Sequence, residues 1–365
     1  MTMTIVPTID KPSYRVVELR KVQSTMRLLY LLRTNDGDQL PEPSLSLTAI
    51  DLPFGSTSTT YTLVGSASGV LCFYFKDRNL FILWNPSSGL LCSIACPDNS
   101  CPAYAFFRSL TSDNELIILA LTKSVTNSST CTFRRYSTET SRWDDVKVVT
   151  NYSREGSMTG PGFVAGQNIY WAGYRENSKL DSVVMYDITL GIVSVIPTNA
   201  PFTNPYDFFC LLTHVTLVGS ETYFVLQRRT THSSELLRLQ GDIWVFICET
   251  NPASCIIDVV AKNRLLVLTG DILEMRDGDM KLLSRCPFAE TYICPFVVLH
   301  SPNDEDVPSL KVYAEKNQKR SFMSMLKSAF GIRSSQSSPR LEKKSNGSSS
   351  RPLRRDPMGS SSMRI

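Results

Sequence analysis

The sequence contains few of the residues, and none of the motifs, on which common catalytic mechanisms depend. Of its 365 residues 3 are histidines, His214, His232 and His300, and they lie in unrelated stretches. A G-x-S-x-G nucleophile elbow, an H-E-x-x-H metal motif and a glycine-rich phosphate loop are all missing. His214 lies in a strand-like run, where we expect it to be packed or hydrogen-bonded rather than to act as a base. We therefore expect no enzymatic activity, no metal and no cofactor, and an enzyme is the least favoured alternative.

Long apolar runs are missing too. No stretch approaches the roughly 18 consecutive apolar residues that indicate a transmembrane helix. The first residues, MTMTIVPTIDKPSYR, lack the basic segment and following apolar segment of a secretory signal. We therefore expect no transmembrane segment and a cytoplasmic and/or nuclear location.

The 10 cysteines do not form a metal-binding pattern. Cys92, Cys96 and Cys101 are spaced as C-x3-C-x4-C, but neither a second C-x-x-C pair nor a nearby histidine completes a zinc site. Most of the other cysteines lie in strand-like runs, and thiols in a reducing compartment behave as small buried apolar side chains. We expect core or loop thiols rather than a metal site.

What the sequence does contain is a series of apolar runs separated by turns, most clearly over residues 65–97. Val70 to Phe75 and Leu80 to Trp84 are rich in aromatic and aliphatic residues, which fit the surface of a β-sheet. The polar stretches after them, 76–79 and 85–89, contain the Asn, Asp, Pro, Ser and Gly residues that favour turns. The stretch is predicted to be a meander of short antiparallel strands, with a third strand starting at Leu90.

Similar strand pairs recur along the chain, the first four at intervals of 50 to 60 residues. Each pair is an apolar or aromatic strand, a turn and a second apolar strand, often ending near a proline: 82–97, 133–149, 183–197, 243–260 and 271–287. Four-stranded units at this period are typical of propeller blades, because one small sheet cannot bury both of its faces alone. We predict an all-β fold, a β-propeller-like repeat of short antiparallel strands, over residues 26–315. A large irregular β-sandwich is the alternative.

The two ends of the chain differ from this pattern. Residues 1–25 give mixed signals and are predicted to be irregular. Residues 316–365 hold 12 Lys or Arg and 2 Asp or Glu, a charge of +10 that leaves the rest of the chain at −6. Within them, 321–333 has the apolar spacing of a short amphipathic helix. The Ser-rich residues that follow cannot build a core, so a disordered basic C-terminal tail is predicted.

The basic tail permits several interpretations. Lys343, Lys344, Arg351, Arg354 and Arg355 could neutralise the phosphates of a nucleic acid. Together with 321–333 they could bind an anionic membrane surface. A localisation signal or a purely solubilising tail are the remaining interpretations.

Binding through surface loops is the function class that remains for the β-domain. Loops of a propeller form a variable surface on a rigid framework, and the predicted long loops are 98–107, 123–130, 150–162, 198–209 and 227–239. Exposed aromatic side chains are frequent anchors in protein interfaces. Tyr104, Tyr152 and Tyr206 are therefore the candidate partner-binding residues, with packing inside the loops as the alternative.

Several of these runs also match the motifs of one family in order and spacing. Gly65, Gly69 and the run Trp84-Asn85-Pro86 match a "GSCNGLLCL … LWNPST" hallmark. Further motifs place Trp171 in a "G-x-L-Y/H-W" strand, Tyr186-Asp187 in an "I-x-x-F-D" strand and Trp244 in an "I-W-V-M" strand. Over roughly residues 26–315 the chain thus resembles the plant F-box-associated domain family, which is kelch-like.

The resemblance implies a substrate-recognition subunit of an SCF-type E3 ubiquitin ligase, in which this β-domain binds the protein to be ubiquitinated. Members usually carry an amino-terminal F-box that docks on the Skp adaptor of the cullin complex. Residues 1–25 contain neither of the conserved runs of an F-box, so Skp and cullin are expected partners only if an F-box or a bridging partner exists. We expect a protein-recognition module with a protein target. A stand-alone scaffold tethered to membrane or nucleic acid by its tail is the alternative.

Overall fold

A computed structural model describes the β-rich part of the chain and one short helix. The described residues are 14–21, 27–32, 47–50, 53, 61–98, 101–122, 132–147, 156–175, 180–197, 210–228, 232–241, 243–252, 254–261, 264–269, 272–287, 292–300, 307–312 and 314. The tail predictions for residues 316–365 lie outside them.

Within these residues the strands form six sheets, which we call blades 1 to 6. Their strands, in chain order, are β1 (Tyr14–Lys21), β2 (Arg27–Leu32) and β3 (Leu47–Ile50) in blade 6; β4 (Tyr61–Ala67), β5 (Val70–Phe75), β6 (Leu80–Trp84) and β7 (Leu91–Ala95) in blade 1; β8 (Ala103–Arg108), β9 (Leu116–Thr122), β10 (Thr132–Ser137) and β11 (Arg142–Lys147) in blade 2; β12 (Gly156–Met158), β13 (Gly160–Pro161, which pairs with blade 2), β14 (Phe163–Ala165), β15 (Asn168–Arg175), β16 (Leu180–Asp187) and β17 (Ile192–Pro197) in blade 3; β18 (Cys210–Val218), β19 (Glu221–Arg228), β20 (Ser234–Gln240) and β21 (Ile243–Glu249) in blade 4; β22 (Ser254–Ala261), β23 (Arg264–Thr269), β24 (Ile272–Asp277) and β25 (Leu282–Pro287) in blade 5; and β26 (Tyr292–His300) in blade 6.

Six strands, one from each blade, form a closed ring: β4, β8, β14, β18, β22 and β26. β4 contacts β8 and β26, β14 contacts β8 and β18, and β22 contacts β18 and β26. The ring closes in blade 6, where β26 pairs antiparallel with β1, from Tyr14 opposite His300 to Lys21 opposite Tyr292. The described fold is a six-bladed β-propeller, which confirms the predicted all-β architecture.

Four of the apolar clusters combine residues of two neighbouring blades, and a fifth lies on the other face of blade 1. In β5, Cys72 and Tyr74 belong to the cluster shared with blade 2, whereas Leu71 and Phe73 belong to the cluster on the opposite side of blade 1. Successive side chains of a strand point to opposite faces, so each blade packs against both of its neighbours. Burial on both faces explains why β5 is apolar at every position.

The motif residues of blade 1 shape two of its three hairpins. Ser68 and Gly69 connect β4 to β5 with positive φ values of 47° and 77°, as a type I′ turn requires. Asn85 is buried, and its side-chain oxygen accepts a hydrogen bond of 3.0 Å from the Ser87 amide in the turn that contains Pro86. These residues therefore serve the fold, and Trp84 is buried beside them.

A strand exchange ties blades 2 and 3 together near the ring. β13 leaves its own blade and pairs in parallel with β8, placing Gly160 opposite Ala103. The Gly162 amide donates to the Tyr104 carbonyl at 2.6 Å, and Trp171 Nε1 donates to the same oxygen at 3.2 Å. A Cβ on Gly162 would lie 2.6 Å from the Trp171 ring. Only glycine therefore fits here without displacing the indole.

Two predicted boundaries are wrong. Residues 1–25, predicted to be irregular, contain β1, which pairs with both β2 and β26. The predicted pair 243–260 joins β21 to β22, which belong to different blades. The true partner of β21 is β20, which lies largely in the stretch 227–239 that was predicted to be a loop.

One short helix, α1, covers residues 308–312 and 314. Val307, Leu310 and Ala314 are buried in the cluster between blades 1 and 2. The Ser309 hydroxyl donates to the Asn114 carbonyl at 2.6 Å and lies 2.8 Å from the Thr138 hydroxyl. The helix thus fills the outer part of this groove.

Candidate binding face

The two ends of the propeller differ in the kind of connection they carry: the connections from one blade to the next lie at one end, whereas the connection 33–46 between β2 and β3 and several tight hairpins lie at the other. At one end β7, β11 and β17 finish and β8, β12 and β18 begin, so the segments 96–102, 148–155 and 198–209 start and finish there. We call this end the long-connection face. At the other end several hairpins close through two residues, as in Ser68-Gly69 and Gly219-Ser220. We call that end the short-turn face.

Asn79 fixes the long-connection face of blade 1. Its side-chain nitrogen donates to the Asp98 carbonyl, its side-chain oxygen accepts from the Tyr74 hydroxyl at 3.2 Å, and its carbonyl accepts from the Cys96 amide at 3.0 Å. The turn between β5 and β6 is thereby fastened to the segment that leads to blade 2. Lys76 and Arg78 in that turn are exposed.

A charged cluster fixes the same face in blade 4. The Arg228 guanidinium pairs with the buried Glu235 carboxylate and lies 3.8 Å from Glu249, which accepts a hydrogen bond of 3.0 Å from the Ser233 hydroxyl. His232 has a positive φ of 55° and its amide donates to the Arg228 carbonyl. The connection between β19 and β20 is therefore held at both of its ends.

Hydrogen bonds also join blade 4 to blade 5 at this face. The Thr250 hydroxyl accepts from the Ser234 amide at 2.8 Å and donates to the Ser254 carbonyl at 2.6 Å. The Ser254 hydroxyl lies 3.1 Å from that of Thr269, which donates to Glu274. Because each group is paired, the strand ends form a rigid support for the connections above them.

The ring contains one buried histidine–carboxylate pair. His214 Nε2 on β18 lies 3.0 Å from Asp258 Oδ1 on β22, and the Phe163 ring packs edge-on against the imidazole. The expectation that His214 is hydrogen-bonded is confirmed. Among the described residues no side chain hydrogen-bonds to its other nitrogen, Nδ1. The pair links blades 4 and 5, and no described nucleophile is bonded to it.

Two free thiols lie in environments that disfavour the thiolate. Burial raises the pKa of Cys72 well above its usual value and raises the pKa of Cys248 to about 11. Both thiols are therefore protonated at neutral pH and are poor nucleophiles. Cys96 and Cys101 instead form a disulfide across the segment from β7 to β8, so the expectation of free thiols is wrong for this pair. In the described part of the chain no group of His, Cys, Asp and Glu has the arrangement of a metal site.

Tyr104 was predicted to be an exposed anchor, and this prediction is wrong. The stretch 98–107 contains β8, an inner strand, and Tyr104 is buried with its ring 4.7 Å from Tyr74 and 5.9 Å from Phe81. Alternate residues of β8 pack into apolar clusters on its two faces, which is the burial pattern of an inner strand and not of a surface loop. Tyr152 and Tyr206 lie outside the described residues, as do Lys343, Lys344, Arg351, Arg354 and Arg355.

The remaining motif residues are structural. Trp171, Tyr186 and Trp244 are buried between blades. Trp244 Nε1 donates to the Pro197 carbonyl at 3.0 Å. The Asp187 side chain accepts from the amides of Thr189 and Leu190, both at 2.8 Å, and so caps the turn after β16.

Sequence reasoning missed four features: α1, the β13 exchange, the His214–Asp258 pair and the disulfide. The Gly-Pro-Gly run at 160–162 indicated an unusual backbone, and the spacing of Cys96 and Cys101 allowed a local bridge. The histidine and aspartate lie on different blades, so their contact has no local signal.

Sequence comparison gives no relative: no protein-family model and no curated protein matches the chain. Solved structures resemble it at low identity. A nidogen/laminin complex gives a TM-score of 0.49 at 10% identity over 80% of this chain and 100% of that chain. Regucalcin from Agrobacterium tumefaciens gives a TM-score of 0.44 at 12% identity, covering 67% of this chain and 81% of that chain. Apo AztD from Citrobacter koseri gives a TM-score of 0.43 at 11% identity, covering 80% of this chain and 99% of that chain. The fold assignment rests on the closed ring of sheets.

No helix among the described residues is both long and apolar enough to span a bilayer.

Proposed function

We propose that the chain is a protein-recognition module whose partner binds the long-connection face. The observation that carries this proposal is that the strands on either side of 96–102, 148–155 and 198–209 have those ends at one end of the ring. Variable connections held on a fixed framework are the usual construction of a binding surface. The hydrogen bonds of Asn79, Arg228 and Thr250 hold the strand ends beneath it.

We further propose that this recognition is of the F-box-associated type. The family's first motif is represented by Gly65, Gly69, Trp84, Asn85 and Pro86, and these residues lie in β4, at the end of β6 and in two hairpin turns of blade 1. In this proposal the bound protein is a ubiquitination target. The Skp adaptor and cullin then join only through an F-box or a bridging partner.

The charge distribution favours a second candidate, a scaffold tethered by its tail. Residues 316–365 carry +10, and such a segment attracts nucleic acid or anionic membrane. Deleting 316–365 would then abolish a salt-sensitive affinity for duplex DNA or anionic vesicles. Unchanged binding of both ligands after the deletion contradicts the scaffold.

The test of the main proposal uses two matched charge reversals. The full chain is immobilised and proteins captured from plant extract are identified by mass spectrometry. Lys76→Glu/Arg78→Glu changes exposed residues of the long-connection face, and Arg142→Glu/Lys281→Glu changes exposed residues of the short-turn face. We expect the first variant to lose wild-type captured proteins that the second retains. Loss in the second variant alone, or no loss in either, contradicts the proposal.

A further inference from the structure

A disulfide cross-links the first connection of the long-connection face. Cys96 directly follows β7 and Cys101 lies shortly before β8, and their sulfurs are bonded to each other. Cys101 is buried in the cluster between blades 1 and 2, whereas Cys96 is only partly buried against it. The chain is therefore held by a covalent bond at the point where it passes from blade 1 to blade 2.

Asn79 joins this cross-linked segment to the neighbouring turn between β5 and β6. Its carbonyl accepts a hydrogen bond of 3.0 Å from the Cys96 amide, and its side-chain nitrogen donates to the carbonyl of Asp98, which lies between the two cysteines. Asn79 has a positive φ of 49°, which is uncommon for residues other than glycine, and these bonds hold it there. The same turn presents Lys76 and Arg78 as exposed side chains. The bridged segment and the charged turn thus share their hydrogen bonds.

The bridge is not what closes the propeller. A disulfide stabilises a protein mainly by restricting its unfolded state, and it does so least when it closes a short loop. Here the two cysteines are separated by only 5 positions in the sequence. The ring is closed instead by the pairing of β26 with β1. Reduction of the bridge should therefore act on the segment around it and leave the six blades intact.

We propose that the Cys96–Cys101 bridge is a thiol–disulfide switch that regulates partner binding at the long-connection face. With the bridge formed, Asn79 holds the segment and the charged turn in one arrangement. With the bridge reduced, the hydrogen bonds of Asn79 break more often and binding weakens. The effect on binding rests on the proposed function, whereas the effect on the order of the two segments does not.

The reaction is an exchange with a dithiol reductant. One thiolate of the reductant attacks Cys96 Sγ, the less buried sulfur, so that a mixed disulfide forms and Cys101 leaves as a thiolate that takes up a proton. The second thiolate of the reductant then attacks its own sulfur in the mixed disulfide and releases Cys96, which is protonated in turn. The bridge gains two electrons and two protons, and the reductant is oxidised to its disulfide. Exchange with a disulfide oxidant restores the bridge.

Hydrogen exchange of the full chain tests the switch, in the oxidised form and after reduction by dithiothreitol, with the redox state verified by alkylation and mass spectrometry. The Asn79 amide donates to the Lys76 carbonyl and the Cys96 amide to the Asn79 carbonyl. We expect both amides to exchange at least about tenfold faster after reduction, and amides of β19 to exchange at an unchanged rate. Equal exchange at Asn79 and Cys96 in the two forms, acceleration throughout the propeller, or a bridge that is reduced only on unfolding would overturn the switch.

Three variants make the exchange test specific. Cys96→Ser/Cys101→Ser should exchange fast at Asn79 with or without reductant, because no bridge can form. Cys248→Ser removes a free thiol of blade 4 and should keep the full response to reduction. Asn79→Asp keeps a side-chain oxygen but removes the N–H donor to the Asp98 carbonyl, so the turn should exchange fast in both forms. A turn that still responds to reduction in Asn79→Asp contradicts the transmission through Asn79.

Capture from plant extract without reductant separates this inference from the proposed function. Cys96→Ser/Cys101→Ser should capture at least about fivefold less than oxidised wild type of the proteins that Lys76→Glu/Arg78→Glu loses, because a less ordered surface binds more weakly. Equal capture would overturn regulation by the bridge while the proposed function stands. If the charge reversal loses no protein, the proposed function fails, and hydrogen exchange alone decides whether the bridge orders the turn.

Discussion

Replacing Gly162 by Ala tests the strand exchange between blades 2 and 3. The added Cβ would lie 2.6 Å from Trp171 Cε2 and Nε1 and 2.8 Å from Ile169 Cγ2, well inside van der Waals contact. Trp171 is fully buried and its indole N–H is bonded to the Tyr104 carbonyl, so the ring has little room to move. Gly162 does not have a positive φ, so the backbone itself accepts alanine.

The expected cost combines two effects. Overpacking a core costs about 1–3 kcal/mol, and displacing the indole from its acceptor adds about 1–3 kcal/mol for an unpaired buried donor. We expect Gly162→Ala to lower the free energy of unfolding by about 2–6 kcal/mol, measured by urea denaturation followed by circular dichroism. At a glycine with a negative φ and open space around it, replacement by alanine would instead raise the free energy of unfolding by about 0.4–1 kcal/mol.

Two further variants make the test specific. Gly65→Ala places a Cβ 3.1 Å from the Phe106 carbonyl oxygen and should cost less than Gly162→Ala. Trp171→Phe in the Gly162→Ala background removes the clashing indole nitrogen, so the two changes should couple by at least about 1 kcal/mol. A Gly162→Ala protein within about 0.5 kcal/mol of wild type would refute the described packing.

Four other expectations follow from buried groups. Trp84→Ala should lower the free energy of unfolding by about 3–5 kcal/mol in a urea titration, since Trp84 is buried beside Leu71 and Phe73; a loss below about 1 kcal/mol contradicts that burial. Asp258→Ala should lower the free energy of unfolding by about 1–3 kcal/mol because the His214 ring loses its hydrogen-bond partner. An unchanged midpoint of urea denaturation would contradict the His214–Asp258 hydrogen bond. Cys96→Ser should cost about 2 kcal/mol by opening a short loop, and alkylation mass spectrometry of the native protein should find Cys96 and Cys101 blocked; free thiols there contradict the bridge. Cys248 should react with iodoacetamide at pH 8 about a hundredfold more slowly than a thiol of ordinary pKa, because its raised pKa lowers the thiolate fraction; a normal rate contradicts its burial.

Local patterns predicted the strands of blade 1 because turn residues and apolar runs there alternate clearly. Ser68-Gly69 and Asn85-Pro86 are turn signals whose geometry is set within a few residues, and both turns form. The all-β propeller followed from repetition of such units, since a repeat needs no knowledge of distant contacts.

Long-range pairing could not be predicted in the same way. β1 is stabilised by β26, far along the chain, and its own residues, YRVVELRK, have no decisive pattern. Tyr104 lies in a stretch with nearby prolines and cysteines that favoured a loop, but packing against Tyr74 and Phe81 places it in an inner strand. The His214–Asp258 pair depends on two blades meeting at the ring, which is a property of tertiary structure alone.

The central claim is that a protein partner binds the long-connection face, and chemical cross-linking tests it most directly. Lys76 is exposed on that face, whereas Lys281 and Lys311 are exposed on or near the short-turn face. A complex captured from extract would be treated with an amine-reactive cross-linker and its linked peptides identified by mass spectrometry. The claim predicts links from the partner to Lys76 that disappear when Lys76→Arg removes the reactive amine. Links to Lys281 or Lys311 without any to Lys76 would contradict it.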